Sequence, residues 1–172
     1  DEIIEFGGVK IKNREEVGRL QMFINPKRTI PAHISNLTHI TQNDVDCAKP
    51  IEDALDELLE FIGDSILVAH NATFDVGFMN AACRKTGRDE LTNPVIDTLP
   101  LSYAMLPDEQ KRFNLGSVCR HYRVSYDGEG AHRADYDADV LSQVMYNMMN
   151  QLGHEATLDT LMDMEGGCEK YS

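Results

Sequence analysis

Three acid or imidazole side chains in this sequence stand where chemistry needs them: Asp75, His132 and Asp137. Residues 131–137 read Ala-His-Arg-Ala-Asp-Tyr-Asp, and a helical pattern from there to about residue 152 sets Leu141, Val144 and Met148 on one stripe. Asp137 precedes those three by four, seven and eleven residues, so it shares their apolar stripe. A carboxylate on a core-facing stripe is costly unless it is paired or bound to a cation. His132 lies five residues earlier, about 140° round a helix, and the two cannot share a helix face. They converge on one pocket if His132 sits in the loop before the helix and Asp137 in its first turns. Asp75 repeats the pattern, three, four and seven residues before Phe78, Met79 and Ala82, just after a short apolar strand.

The elements that must position these groups follow from periodicity. Residues 3–11 read as a strand covered on both sides, with Ile3 on one face and Ile4 and Phe6 on the other. Residues 17–24 alternate as the return strand of a hairpin. Residues 30–46 read as loop with short helical pieces, Thr41 being an N-cap. Pro50 opens a helix with the stripe Ile51, Ala54, Leu55, Leu58, Leu59 and Ile62, and Gly63 stops it. Residues 66–69 form a short strand, 70–74 a turn, and a helix runs on to about 85. Val95 and Ile96 make a further strand, and Asp97 caps the helix that begins near Thr98. Leu115, Val118, Cys119 and Tyr122 mark another helix. The expected fold class is α/β, a mixed sheet flanked by helices on both faces, with the site outside the carboxyl ends of its strands.

The chain has 172 residues, 42% hydrophobic and 26% charged, with a formal charge of −13, which is the composition of an ordinary globular domain. Such a charge argues against nucleic-acid binding through a broad basic patch. It leaves room for a nucleic-acid enzyme whose carboxylates are neutralised by metal ions. The four cysteines are scattered, with no zinc-site spacing, as in a reduced, cytoplasmic protein. No apolar run reaches membrane-spanning length. The chain starts at Asp1 without Met and reads as a fragment. The domain is expected over residues 1–153, with 154–172 an acidic tail or the start of a linker to a following domain.

Taken singly, each candidate has a plain reading. Asp75 serves as a first-turn acid, His132 as a loop histidine, Asp135 and Asp139 as solvent-facing acids, and Glu5 as a structural residue within its strand. Joined, they say more. Residues 68–78, Val-Ala-His-Asn-Ala-Thr-Phe-Asp-Val-Gly-Phe, and residues 132–137, His-x-Ala-x-x-Asp, resemble the second and third motifs of the DnaQ-like, DEDDh-type 3′→5′ exonucleases. Residues 30–41 resemble that family's Ile-Pro…Leu-Thr-Gly-Ile-Thr segment, with His39 where Gly is usual. Residues 93–99 resemble its Val-Ile-Asp-Thr-Leu stretch. The likeness is nearest to the exonuclease domains embedded in PolC-type replicative polymerases.

That resemblance implies an RNase H-like fold and a metal-dependent 3′→5′ DNA exonuclease that releases nucleoside 5′-monophosphates and proofreads mispaired ends. Two divalent cations, Mg²⁺ or Mn²⁺, would be held by Asp75 and Asp137 together with a first motif. His132 would be the general base, Asn71 would bond the substrate backbone and Phe74 would pack on the terminal nucleotide. The implied partners are a single-stranded or frayed 3′ end of DNA, with RNA as an alternative, and a polymerase domain in the same polypeptide; no membrane is implied. The first motif, an Asp-x-Glu on the first strand, is missing, and Asp1 and Glu2 match the loop and the start of the second strand instead. The expected sheet therefore lacks its first strand. A non-catalytic interaction module is the reading that this departure alone would favour.

Overall fold

The computed structural model describes residues 3–153. β1 (Glu5–Lys12) and β2 (Glu15–Phe23) form an antiparallel hairpin with Glu5 opposite Phe23, and its register shifts between Lys10 and Ile11. Asn13 and Arg14 turn it with φ of 54° and 65°, the positive pair that a tight two-residue hairpin turn uses. β3 (Leu67–Ala69) and β4 (Val95–Asp97) pair in parallel. Their crossover is α4 (Ala72–Lys85).

Around these lie α1 (Ala32–Thr38), α2 (Gln42–Asp46), α3 (Ile51–Ile62), α5 (Thr98–Met105), α6 (Leu115–His121) and α7 (Ala134–Leu152). α2 starts in a capping box: Thr41 accepts from the Asp44 N–H and Asp44 from the Thr41 N–H. α3 buries the predicted stripe and ends at Gly63. His39 ends α1 in the left-handed region, φ 61°, which explains why glycine suits that position.

β1 is covered on both faces, as expected of its sequence. On one face Gly7 lets α7 come so close that a Cβ there would lie 2.2 Å from the Asp135 amide nitrogen. On the other, Phe6 meets Phe61 of α3 edge-on at 6.2 Å. One apolar core joins α5, α6 and α7 through Leu101, Val118, Val144 and Met148. A second joins α3 and α4 to the hairpin through Leu55, Leu58, Met79 and Ile24.

Among the described residues, neither β1 nor β3 has a second strand partner, so the sheet is divided into two pairs. A cavity of about 1670 Å³ separates them, walled by residues 3–11 of the hairpin, 65–71 around β3, and side chains of α4 and α7.

Several boundaries differ from the expectation. β1 begins at Glu5, so Ile3 precedes it and packs with Phe6 in one cluster while Ile4 packs in another. α7 begins at Ala134 because His132, at φ 68°, cannot be helical. Phe74 lies in the first turn of α4 rather than before it. Asp139 binds Arg19 of β2 instead of standing free in solvent. Asp1, Glu2 and the tail at 154–172 lie outside the described residues. The three described cysteines, Cys47, Cys83 and Cys119, are free thiols. No described helix is long and apolar enough to cross a membrane.

Candidate active site

The turn from β3 into α4 brings the first acid to the cavity. Asn71 takes φ 70° there, a conformation Asn adopts more readily than most residues. Asp97, at the end of β4 and 3% exposed, holds the turn. Its carboxylate accepts from the backbone N–H groups of Asn71, Ala72 and Leu99, each at 2.9 Å. The same acid thus caps α5, as its sequence position predicted, and fixes the start of α4. His70 braces the turn from behind: Nδ1 lies 2.9 Å from Thr98 Oγ1 and Nε2 lies 2.6 Å from the Phe113 carbonyl oxygen. Burial lowers the pKa of its imidazole.

Asp75, in the first turn of α4, opens onto the cavity. The surrounding protein withholds solvation from it, and Asp97 and Asp137 add like charge; together these push its pKa up to about 6. Asp75 is nonetheless an exposed residue on the cavity wall.

The second half of the site comes from the loop before α7. His132 lies in that loop, exposed at the cavity rim. Its backbone N–H donates to Asp137 Oδ1 at 3.1 Å. The Tyr126 hydroxyl donates to the same oxygen at 2.9 Å. Tyr126 also meets the His132 ring edge-on at 5.9 Å and stacks on Tyr136 at 5.8 Å. Burial raises the Asp137 pKa while the bonds from Tyr126 and His132 oppose the rise; burial also raises that of Tyr126.

Glu5 of β1 fastens this loop to the sheet. Its carboxylate, 4% exposed, accepts from Arg133 Nη2 at 2.9 Å and from the Ala134 N–H at 2.8 Å. It closes the first turn of α7 immediately after His132.

All five residues singled out from sequence, Asn71, Phe74, Asp75, His132 and Asp137, line the one cavity. Phe74 is 55% exposed and rests edge-on against Phe78 at 4.7 Å. Reading the sequence missed Tyr126 as the partner of Asp137, and it missed the distant targets of Glu5 and the reach of Asp97 beyond its cap. Among the described residues, no group of three or more His, Cys, Asp or Glu side chains gathers to hold a metal ion. Two hard carboxylates face one cavity, each with a raised pKa. That is a donor pair that a divalent cation would relieve.

Comparison with known proteins gives the family. The family description "Exonuclease" (RNase_T) matches residues 1–145. The chain belongs to this exonuclease family. It is 43% identical over 166 residues to the DNA polymerase III PolC-type of Ureaplasma parvum, covering 95% of this chain and 11% of that protein. It is 39% identical over 171 residues to the PolC-type polymerase of Clostridium perfringens, covering 99% of this chain and again 11% of the relative. The exonuclease domain thus spans about a tenth of the length of these curated relatives.

Among solved structures it resembles exonuclease X in complex with 5′-overhanging duplex DNA, with TM-score 0.72 and 23% identity over 95% of this chain and 91% of that one. It also resembles the nuclease domain of 3′hExo, a DEDDh family member bound to rAMP, with TM-score 0.73 and 21% identity over 91% and 84%. At these identities the structures show the shared fold alone, which is RNase H-like.

Proposed function

We propose that this exonuclease domain removes nucleotides from the 3′ end of DNA by metal-assisted hydrolysis, and that it proofreads within a PolC-type polymerase. The observation that carries the reading is the convergence of Asp75, His132 and Asp137 on one cavity from two chain segments some sixty residues apart. The PolC-type DNA polymerases among its sequence relatives favour DNA over RNA.

In this reading Asp75 and Asp137 hold divalent cations, Mg²⁺ or Mn²⁺, with the remaining carboxylates supplied by an Asp-x-Glu strand that occupies the gap between β1 and β3. Bound there, the cations supply Lewis-acid stabilisation of charge on the attacking and leaving oxygens. Tyr126 and the His132 N–H hold Asp137 in one orientation. The exposed His132 imidazole, at the cavity rim, takes the proton of the attacking water as general base. Asn71, held by Asp97, offers its amide to the substrate backbone. Phe74 presents a ring face to the terminal base. Residues 1–153 form the nuclease unit, residues 154–172 lead towards a following polymerase domain, and the protein acts in the cytoplasm.

The test pairs this chain with a longer one that includes the segment encoded before Asp1. Each is given Mn²⁺ and 5′-labelled single-stranded DNA. The longer chain should produce a ladder of 3′-shortened products, and its Asp137→Ala and His132→Ala forms should produce none while remaining folded. Full activity in Asp137→Ala, or no cleavage by a folded longer chain, would sink the assignment.

A further inference from the structure

A pair of aromatic rings, Tyr103 and Phe113, stands outside the cavity lining, with Phe113 next in the chain to the wall residue Asn114. Tyr103 projects from α5 with 62% of its surface exposed. Its ring rests on Phe113, with centroids 4.3 Å apart and planes tilted by 43°. A single exposed ring needs no explanation. This pair differs, because one ring is anchored and the other is presented. Phe113 packs against the core formed by α5, α6 and α7, and Tyr103 lies outside it.

The platform is tied to the site by backbone. The Phe113 carbonyl takes the 2.6 Å bond with His70 Nε2, and His70 immediately precedes Asn71 on the cavity wall. Asn114, next in the chain, also lines the cavity, and its Oδ1 accepts from the Ser117 N–H at 2.9 Å to cap α6. The loop before Phe113 is folded onto itself: the Gln110 N–H donates to the Pro107 carbonyl at 2.9 Å, and Gln110 Nε2 donates to the Arg112 carbonyl at 2.7 Å. Lys111 and Arg112, both exposed, stand directly before the rings. Asp108 and Glu109 stand earlier in the same loop, so the loop carries no net charge. Two cations next to the rings in a chain of net charge −13 suit phosphates, while the rings carry most of the affinity.

We propose that Tyr103 and Phe113 form a stacking platform for an unpaired base of single-stranded nucleic acid, upstream of the 3′-terminal nucleotide in the cavity, with Lys111 and Arg112 taking adjoining phosphates. The proposal rests on the exonuclease reading and extends it from the end of the strand to the strand behind it. Aromatic faces accept any base, so the platform selects for single-strandedness rather than for sequence. A paired base has no free face to offer, so a matched duplex end engages the platform only after it frays.

The experiment uses the complete polypeptide that carries this domain and reads 3′-end shortening, so that only DNA engaged at this site is counted. Two substrates are compared: oligothymidylate, and the p-nitrophenyl ester of thymidine 5′-monophosphate, which carries no upstream nucleotide for the platform to stack. Tyr103→Ala should raise KM for the oligomer about tenfold relative to KM for the ester, and Tyr103→Trp should restore it. Replacing Lys111 and Arg112 by Gln together should flatten the salt dependence of oligomer binding, its logarithmic slope falling by about 1.4 for two phosphates at ~0.7 each. If the parent cleaves both substrates and Tyr103→Ala leaves the ratio of the two KM values unchanged, the platform is overturned and the exonuclease reading stands. If the parent cleaves neither, both fall.

Discussion

The Tyr126 hydroxyl donates to Asp137 Oδ1 at 2.9 Å, and the His132 backbone N–H donates to the same oxygen at 3.1 Å. One carboxylate oxygen is thereby fixed by two donors, and Oδ2 has neither of them. A ligand carboxylate whose rotamer is locked in this way meets a cation without first being ordered. Tyr126→Phe removes one donor and keeps the ring that stacks on Tyr136. The expected outcome is a fold with unchanged circular dichroism, a Mn²⁺ requirement raised about tenfold and activity restored at saturating metal. An unchanged metal titration would show that the His132 N–H alone suffices.

Glu5 and Arg133 lie 128 residues apart in the chain and 2.9 Å apart in space. Glu5 is almost wholly buried, and it also accepts from Ala134 and from Gln21 Nε2 at 2.8 Å. Glu5→Ala strands a guanidinium and an uncapped helix start, and it should cost about 2–3 kcal/mol of stability. Glu5→Gln keeps the acceptor for Ala134 and should cost about half of that. Urea unfolding of the three forms measures the difference, and equal midpoints would show that α7 docks without this clasp.

Local signals in the sequence survived into the structure where local physics decides. The stripe between Pro50 and Gly63 became α3 because every apolar position on it is satisfied by one neighbouring core. Thr41 and Asp97 became caps because a cap needs only the next few amides. Asp75 and Asp137 stood out because an acid on an apolar stripe contradicts the pattern around it. Tyr126 did not stand out: its target is eleven residues away across a loop whose path no periodicity encodes. Nor did the second role of Asp97, because the Asn71 and Ala72 amides reach it only after β3 and β4 pair. The start of α7 was misplaced by a few residues because His132 takes a left-handed φ and its backbone N–H turns to Asp137, which no local pattern encodes.

Gly7 is where α7 meets the hairpin. A Cβ there would come within 2.3 Å of the Ala134 carbonyl carbon as well as 2.2 Å of the Asp135 nitrogen. Both are backbone atoms, so no rotamer change relieves the clash. Gly7→Ala should therefore push α7 off β1, weaken the Glu5 clasp and lower stability by about 2 kcal/mol. It should also abolish nuclease activity at temperatures where the fold survives, because His132 and Asp137 ride on the displaced segment. Gly77, with nothing within 4 Å of its added Cβ, is the control. Gly77→Ala lies inside α4 and should stabilise by about 0.5–1 kcal/mol. A Gly7→Ala protein with full activity would show that α7 tolerates a shift of its first turn.

The pKa of Asp75 gives the metal-free domain an unusual response to pH. In the folded state it titrates near about 6, against an ordinary value of 3.8. Between those values the folded state binds more protons than the unfolded chain. Stability therefore falls as pH rises from about 4 to about 6, and this contribution is flat above. The raised pKa of Asp137 acts in the same direction. His70 acts oppositely, because its lowered pKa withdraws stability as pH falls below its ordinary value of 6.5. The comparison is therefore between the parent and Asp75→Asn, in which the His70 contribution cancels. In EDTA at pH 7 the Asn form should be the more stable, by on the order of 1 kcal/mol after solvent screening in the cavity. The advantage should vanish near pH 4. Adding Mn²⁺ at pH 7 should raise the melting temperature of the parent and leave Asp75→Asn nearly unmoved. A parent protein already more stable than Asp75→Asn in EDTA would mean that Asp75 is held by a partner of the opposite charge, and that it was not left strained for a cation.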